Sequence, residues 1–175
     1  MKQEAMEVLK NRRSIRKYKP QQISEAELTA VLEAGTYGAT GRGTQSPFIV
    51  AVQNPEIVKQ LNRMNGAVMG NPDGEPYYGA PTIVFVFGST EATTPFEDAM
   101  LVGANILNAA YAVGLGSCWI HRSRQMFESE EGKALLKAWN LPENCFGVAS
   151  IALGYADCAH PTPKPRKEDY YRIIK

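Results

Sequence analysis

The sequence has almost no net charge: its 175 residues carry 19 basic against 18 acidic side chains. So balanced a chain offers no global field for nucleic acid, and that class of partner is set aside. Cysteine is scarce. Cys118, Cys145 and Cys158 are odd in number, widely spaced and without a Cys-x-x-Cys pair, so neither a disulfide framework nor a zinc site is expected. A reducing compartment is the easier setting. Histidine is scarcer still: His121 and His160 lie far apart with no second ligand at diagnostic spacing, which leaves no metal constellation. Cys118 and His121 do not make a nucleophilic pair either, because on a strand these positions point to opposite faces. Also missing are a phosphate-binding Walker loop, the Rossmann glycine pattern and a strand-elbow serine. The amino terminus carries acidic residues and lacks the apolar region of a signal peptide, so a cytoplasmic protein is expected.

What is present is ordinary for a folded protein, 44% hydrophobic and 21% charged, in a length that suits one domain spanning residues 1–175. Against that neutral background one stretch stands out, Asn11 to Pro20, with Arg12, Arg13, Arg16, Lys17, Lys19 and the hydroxyl of Ser14. Clustered guanidinium groups make bidentate, charge-assisted bonds suited to a phosphate monoester. The alternative is a solvated basic helix end whose cations complement the helix dipole.

Along the chain, apolar spacing predicts a helix near residues 3–13 that delivers this stretch. Ser24-Glu25-Ala26-Glu27 has capping-box spacing, and Gly35 is placed to terminate the helix that follows. Thr36 to Pro47 reads as a glycine-rich loop, and Phe48 to Val52 as a strand. Asn54-Pro55 opens another helix, with Gly66 to Gly79 read as loop, a candidate cover over a site. Thr82 to Phe87 is continuously β-prone, as in a strand buried on both faces. Thr94-Pro95-Phe96-Glu97 carries a cap, a first-turn proline and capping-box spacing, opening a helix to about Val113. That helix is apolar nearly all round, the pattern of a membrane span or of deep burial that includes a subunit interface. Gly114 to His121 turns into a short strand, Ser129 to Trp139 holds a helix, and Phe146 to Leu153 reads as the last strand. The proline-rich tail 156–175 is expected to wrap a surface, that of a partner subunit being one choice. Helix–strand alternation taken alone suggests a parallel α/β sheet.

Anion donors and glycine turns without an acid, base or metal suit a bound cofactor that carries the reaction itself. Six segments point the same way: Arg12-Arg13-Ser14-Ile15-Arg16 with Tyr18, Thr40 to Pro47, Tyr78-Gly79-Ala80-Pro81, Gly114 to Ile120, Gly154-Tyr155 and Lys164-Pro165-Arg166. In this order they resemble the nitroreductase family over nearly the whole chain. The resemblance implies an α+β fold in three layers, a mixed, mostly antiparallel sheet flanked by helices. It implies a homodimer of domain-swapped type with the long helix from Pro95 buried at its centre, and one flavin mononucleotide (FMN) in each of two sites between subunits.

Carried over residue by residue, the resemblance implies that Arg12, Arg13, Ser14 and Arg16 hold the FMN phosphate, ribityl chain and pyrimidine edge. Lys164 and Arg166 match the segment that closes on the phosphate. Thr40, Gly41, Arg42 and Gln45 match a loop that approaches the flavin, from the other subunit. Trp119, Ile120 and His121 match the segment laid against the isoalloxazine, where a backbone amide meets N5. The His121 side chain is left open between facing the substrate, lying on the surface and pairing with Arg122. The implied activity is a ping-pong exchange in which NADH or NADPH reduces the flavin, and a nitroaromatic, quinone or other small acceptor reoxidises it, with no catalytic residue required of the protein. The alternatives are a non-catalytic flavin-binding or storage module, a dehalogenase, or a flavin-fragmenting enzyme. Two departures stand out: Gly43 occupies a position where many relatives carry Asn, and the chain is shorter than typical members.

Overall fold

The computed structural model describes residues 2–175, with side chains from Glu4 onward. Four strands, β1 (Phe48–Val52), β2 (Thr82–Ser89), β3 (Gly116–Ile120) and β4 (Cys145–Gly154), form one sheet in the order β1-β2-β4-β3. Every neighbouring pair is antiparallel, with Val84 opposite Ile151 and Trp119 opposite the same residue from the other side. The parallel component expected of a mixed sheet is confined to an isolated bridge between Ser14 and Ser117. Alternation misleads about the sheet for a topological reason. Strands β2 and β3, joined by a helix, do run parallel to each other, but β4 is inserted between them and reverses both contacts.

All residues of β2 are buried, as its unbroken apolar run requires. One face of the sheet packs Val84, Val86, Ile151 and Leu153 against α2 (Glu25–Thr36) and α4 (Pro95–Ala112). The opposite face packs Phe85, Phe87, Cys118 and Ile120 against α3 (Pro55–Val68), α5 (Ser123–Glu128) and α6 (Glu130–Ala138). Helix, sheet and helix make three layers, and the fold is α+β.

Local chemistry explains most element boundaries. The Ser24–Glu27 capping box forms in both directions, and Asn54 caps α3 by accepting from the amides of Glu56 and Ile57. Two expected boundaries are corrected. Gly35 does not end α2; it lies inside the helix, where a Cβ would stand 2.7 Å from Ile106, so its role is to let α4 approach. Thr94 does not cap α4, because its hydroxyl donates to the Asp98 carboxylate instead. Helix α3 also runs past Gly66 to Val68, and the short helix α5 was not legible in the sequence.

Helix α4 buries Ala99, Val102, Ile106 and Ala110 on the sheet, while Phe96, Met100 and Leu101 remain exposed on its other side. Its apolar circumference is therefore half used within one chain. Among the described residues, no helix is long and apolar enough to cross a membrane. Helix α1 (Lys2–Asn11) precedes the basic stretch, and the tail beyond Asp157 is almost wholly exposed, with Ile173 at 74% and Ile174 at 90%.

Candidate cofactor site at the β3 edge

After α1 the chain runs extended along the outer edge of β3. The Ile15 amide donates to the Ser117 carbonyl at 3.0 Å, Tyr18 bridges to Ala156, and the Tyr18 hydroxyl donates to the carbonyls of Ile15 and Ala152. Alternation in an extended segment sends Arg12, Ser14 and Arg16 to one side. All three act on the thiol of Cys118: burial pushes it up, and Arg16, a hydrogen bond from Ser14 and then Arg12 pull against that. Arg16 is exposed and Arg12 and Ser14 are half-buried, so this cationic row faces outward from the sheet edge.

Arg13 turns the other way. Its guanidinium donates to the carbonyls of Lys10 and Arg12, both at 2.7 Å, tying down the carboxyl end of α1. Arg12, Arg13, Tyr111, Ser117 and His160 border a cavity of about 120 Å³. Two polar atoms bordering it, Arg13 Nε and Ser117 Oγ, are buried without a partner. Unpartnered buried groups are uncommon and call for an occupant. A guanidinium row, two orphaned polar atoms and a neighbouring cavity fit a group carrying a phosphate and hydroxyls.

Strand β3 supplies a second feature. Because the Ser117 carbonyl faces the outer edge, strand alternation turns the Trp119 amide to that same edge, beyond the point where Ile15 pairs. The Trp119 ring packs on α4, where a Cβ on Gly103 would come within 2.8 Å of it. His121 is exposed, and its backbone carbonyl, not its side chain, is held inside the protein.

That anchoring comes from a buried polar network which the sequence did not flag. Asn65 is fully buried; its Nδ2 donates to the His121 carbonyl at 2.9 Å and to the Tyr77 hydroxyl at 3.3 Å, and its Oδ1 accepts from Arg122 Nε at 2.9 Å. Tyr77 in turn donates to Ser150, whose hydroxyl donates to the Ile120 carbonyl at 2.9 Å. Burial pushes the Tyr77 hydroxyl up to about 12, so it stays a donor. Two successive carbonyls at the end of β3 are thus fixed from beneath. Trp119 to Arg122 and the segment Met69 to Tyr78 wall a second cavity of about 250 Å³. Of the neighbouring tyrosines in this segment, Tyr77 is core and Tyr78 lines the cavity.

The glycine-rich loop lies elsewhere. Gly41–Gly43 forms a single 3-10 turn with Arg42 at φ 55°, followed by Gln45 at φ 50°. Buried Asp98 of α4 organises it, accepting from the Gly41 amide at 2.9 Å and from Ser46 and Thr94 hydroxyls, while Thr40 Oγ1 accepts from the Gln45 amide. The side chains of Arg42 and Gln45 point into solvent, and residues 44–46 line an open cleft beside β1. Strands β1 and β3 are opposite edges of the sheet, three strand spacings or about 14 Å apart, so Thr40 to Gln45 and Arg12 to Arg16 do not meet in one chain. Lys164 and Arg166 lie on the exposed tail, where Arg166 donates to the Lys164 carbonyl and neither reaches the basic row. The structure therefore joins Arg12, Ser14, Arg16, Trp119, Ile120 and His121 at one edge and leaves two groups of expected site residues apart from it. Among the described residues, no cluster of metal-ligating side chains is found.

Comparison with known proteins places this geometry. A model described as the nitroreductase family matches residues 9–155. An NADPH-dependent oxidoreductase of Staphylococcus saprophyticus is 28% identical, covering 95% of this chain and 70% of that protein. The crystal structure of a nitroreductase with bound FMN from Bacteroides fragilis superposes with a TM-score of 0.88 at 30% identity, covering 98% of both chains. A nitroreductase with bound FMN from Desulfitobacterium hafniense gives a TM-score of 0.86 at 22% identity and 98% coverage of each, a likeness of fold.

Proposed function

The chain belongs to the nitroreductase family, and on that premise we propose that it is an FMN-dependent oxidoreductase that draws on NADPH or NADH and reduces nitroaromatic, quinone or related small acceptors by a ping-pong exchange. One observation carries the reading: a row of cationic donors, two orphaned buried polar atoms and a strand amide turned to the outer edge converge on one side of the sheet. Bound there, FMN would supply the chemistry the side chains lack, accepting a hydride equivalent from a nicotinamide and passing it to an acceptor.

The protein's part is binding and orientation. Arg12, Ser14 and Arg16 would hold the anionic and polyhydroxyl parts of the cofactor through charge-assisted bonds. Trp119 to His121 would lie against its ring, with the Trp119 amide as the available backbone donor. Fixed cations and amides at that edge favour extra negative charge on the reduced cofactor without further reorganisation. The Asn65 and Ser150 bonds keep the donor segment from moving.

A second copy of the chain would complete the site. The exposed Phe96, Met100 and Leu101 on α4 and the uncovered tail with Ile173 and Ile174 support a homodimer. In it, Thr40 to Gln45 and Lys164 with Arg166 would reach the partner's cofactor.

Purified protein should be yellow, elute at twice the monomer mass, and lose its flavin absorbance on anaerobic addition of NADPH or NADH, regaining it with a quinone. Bound flavin that no nicotinamide bleaches would favour a storage module over an enzyme.

A further inference from the structure

The polar network beneath the end of β3 has a direction. Arg122 Nε can only donate, so at 2.9 Å it faces Oδ1 of Asn65 and turns Nδ2 toward the His121 carbonyl, which can only accept. Ser150 has one hydroxyl proton and spends it on the Ile120 carbonyl, so Tyr77 donates to Ser150 and its oxygen accepts from Asn65. Every donor therefore points the same way. Two chains leave the Arg122 guanidinium through Asn65: one ends directly on the His121 carbonyl, and the other passes Tyr77 and Ser150 to the Ile120 carbonyl. Met126 Sδ, a weak acceptor, also touches Asn65 and Tyr77 without reversing either chain. Asn65, Tyr77 and Ser150 are fully buried, where each such bond polarises the next. The head of both chains is held against a local preference, since Arg122 sits at φ 82° and ψ 7°, in the left-handed region that a residue with a Cβ disfavours.

The chains end on successive peptide groups. Among the described residues no peptide bond is cis, so the N–H of each unit points opposite to its carbonyl. The Ile120 and His121 carbonyls are held from the buried side, so the amides of His121 and Arg122 face away from it, and neither makes a hydrogen bond among the described residues. We propose that Asn65 and Tyr77 are positioning residues that set the reduction potential of the bound flavin: headed by the Arg122 charge, they aim and polarise the His121 and Arg122 amides, which then favour the reduced cofactor over the oxidised one. The proposal rests on the FMN reading of this edge and adds what tunes the driving force there. A peptide whose carbonyl accepts a hydrogen bond donates more strongly through its own N–H. Such donors gain most where the acceptor becomes more negative, so their effect falls on one redox state more than on the other.

The test compares the FMN-loaded parent with Tyr77→Phe, which cuts one chain, and Asn65→Ala, which cuts both, by spectroelectrochemical titration beside fluorescence titration with oxidised FMN. Preference for reduced over oxidised FMN should fall about two- to threefold in Tyr77→Phe and at least about tenfold in Asn65→Ala, the latter about 30 mV on the two-electron couple. Ser150→Ala cuts the longer chain at its last link and should shift the potential in the same direction as Tyr77→Phe, which keeps the test open if Asn65→Ala does not fold. Amide proton shifts of the cofactor-free protein read the chains without flavin: Tyr77→Phe should move the His121 signal upfield and leave that of Arg122, while Asn65→Ala should move both. Both redox forms weakened equally, with the potential unchanged, would make the network a scaffold only and overturn the proposal, as would amide signals that do not follow the chains. A parent that takes up no FMN overturns it together with the cofactor reading. Potentials that shift as expected in samples that neither NADPH nor NADH bleaches support this assignment and sink the oxidoreductase reading alone.

Discussion

Replacing Asn65 by alanine should destabilise the protein far more than a single polar deletion does. The amide makes three bonds to oxygen and nitrogen partners from a fully buried position, to the His121 carbonyl, to the Tyr77 hydroxyl and from Arg122 Nε, besides a weak one to Met126 Sδ. A neutral bond contributes about 1 kcal/mol and one to a charged group about 2 kcal/mol, for a ceiling near 4 kcal/mol. Arg122 is half-buried and recovers water, and the space left by the amide admits a water for the carbonyl, so about 2–3 kcal/mol is expected. For a chain of this length that lowers Tm by roughly 5–10 °C. Tyr77→Phe serves as the reference: it removes one hydroxyl from the same network and should cost about 1 kcal/mol. Urea titrations followed by circular dichroism measure both variants, with and without added FMN. A loss in Asn65→Ala no larger than in Tyr77→Phe would refute the claim that Asn65 is the hub of this network.

Arg16→Ala removes an exposed side chain and should leave the stability of the cofactor-free protein within about 0.5 kcal/mol. Its FMN affinity should fall roughly ten- to a hundredfold, read by fluorescence titration; unchanged affinity would remove the basic row from the site. Glu27 sits below its ordinary value of 4.5 because the Ser24 hydroxyl and then the Tyr155 hydroxyl donate to it. Stability from this lowered carboxylate is present above that ordinary value and is lost as pH falls through the native one, so Glu27→Gln should flatten stability against pH on the acid side below about 4.5, with a second change only in the alkaline range, where the bond to Glu27 holds the Tyr155 hydroxyl up. Two glycines should respond oppositely in thermal melts. Gly38→Ala puts a Cβ 2.8 Å from the Val102 backbone nitrogen of α4 and should cost about 1–3 kcal/mol, while Gly43→Asn, at φ +68° with nothing within 4 Å, should stay within about 0.5 kcal/mol.

Much of the molecule was legible because its signals are local. The capping box at Ser24, the Asn54-Pro55 start and the apolar run of β2 each act over a few residues, and all three form as written. The basic stretch was legible as an anion site, although the division of labour inside it was not: Arg12 and Arg16 face outward while Arg13 ties down a helix end. Asn65 carried no signal, because an asparagine in a helix reads the same whether it meets water or a distant carbonyl. The Thr94 sequence looked like a cap and became a ligand of Asp98, since a carboxylate one turn away competed for its hydroxyl.

The sequence by itself determined the local elements, the cationic row and, through its motifs in order, the family. The tertiary structure decided what depends on contacts between distant segments. Insertion of β4 between β2 and β3 makes the sheet antiparallel, because strand order is set by packing and not by chain order. The pairing of Ile15 with Ser117 brings the basic row beside β3, and Asn65 fixes the carbonyl that orients its end. The same sheet order holds Thr40 to Gln45 at the far edge, because a strand's place in the sheet sets what its flanking loops can reach.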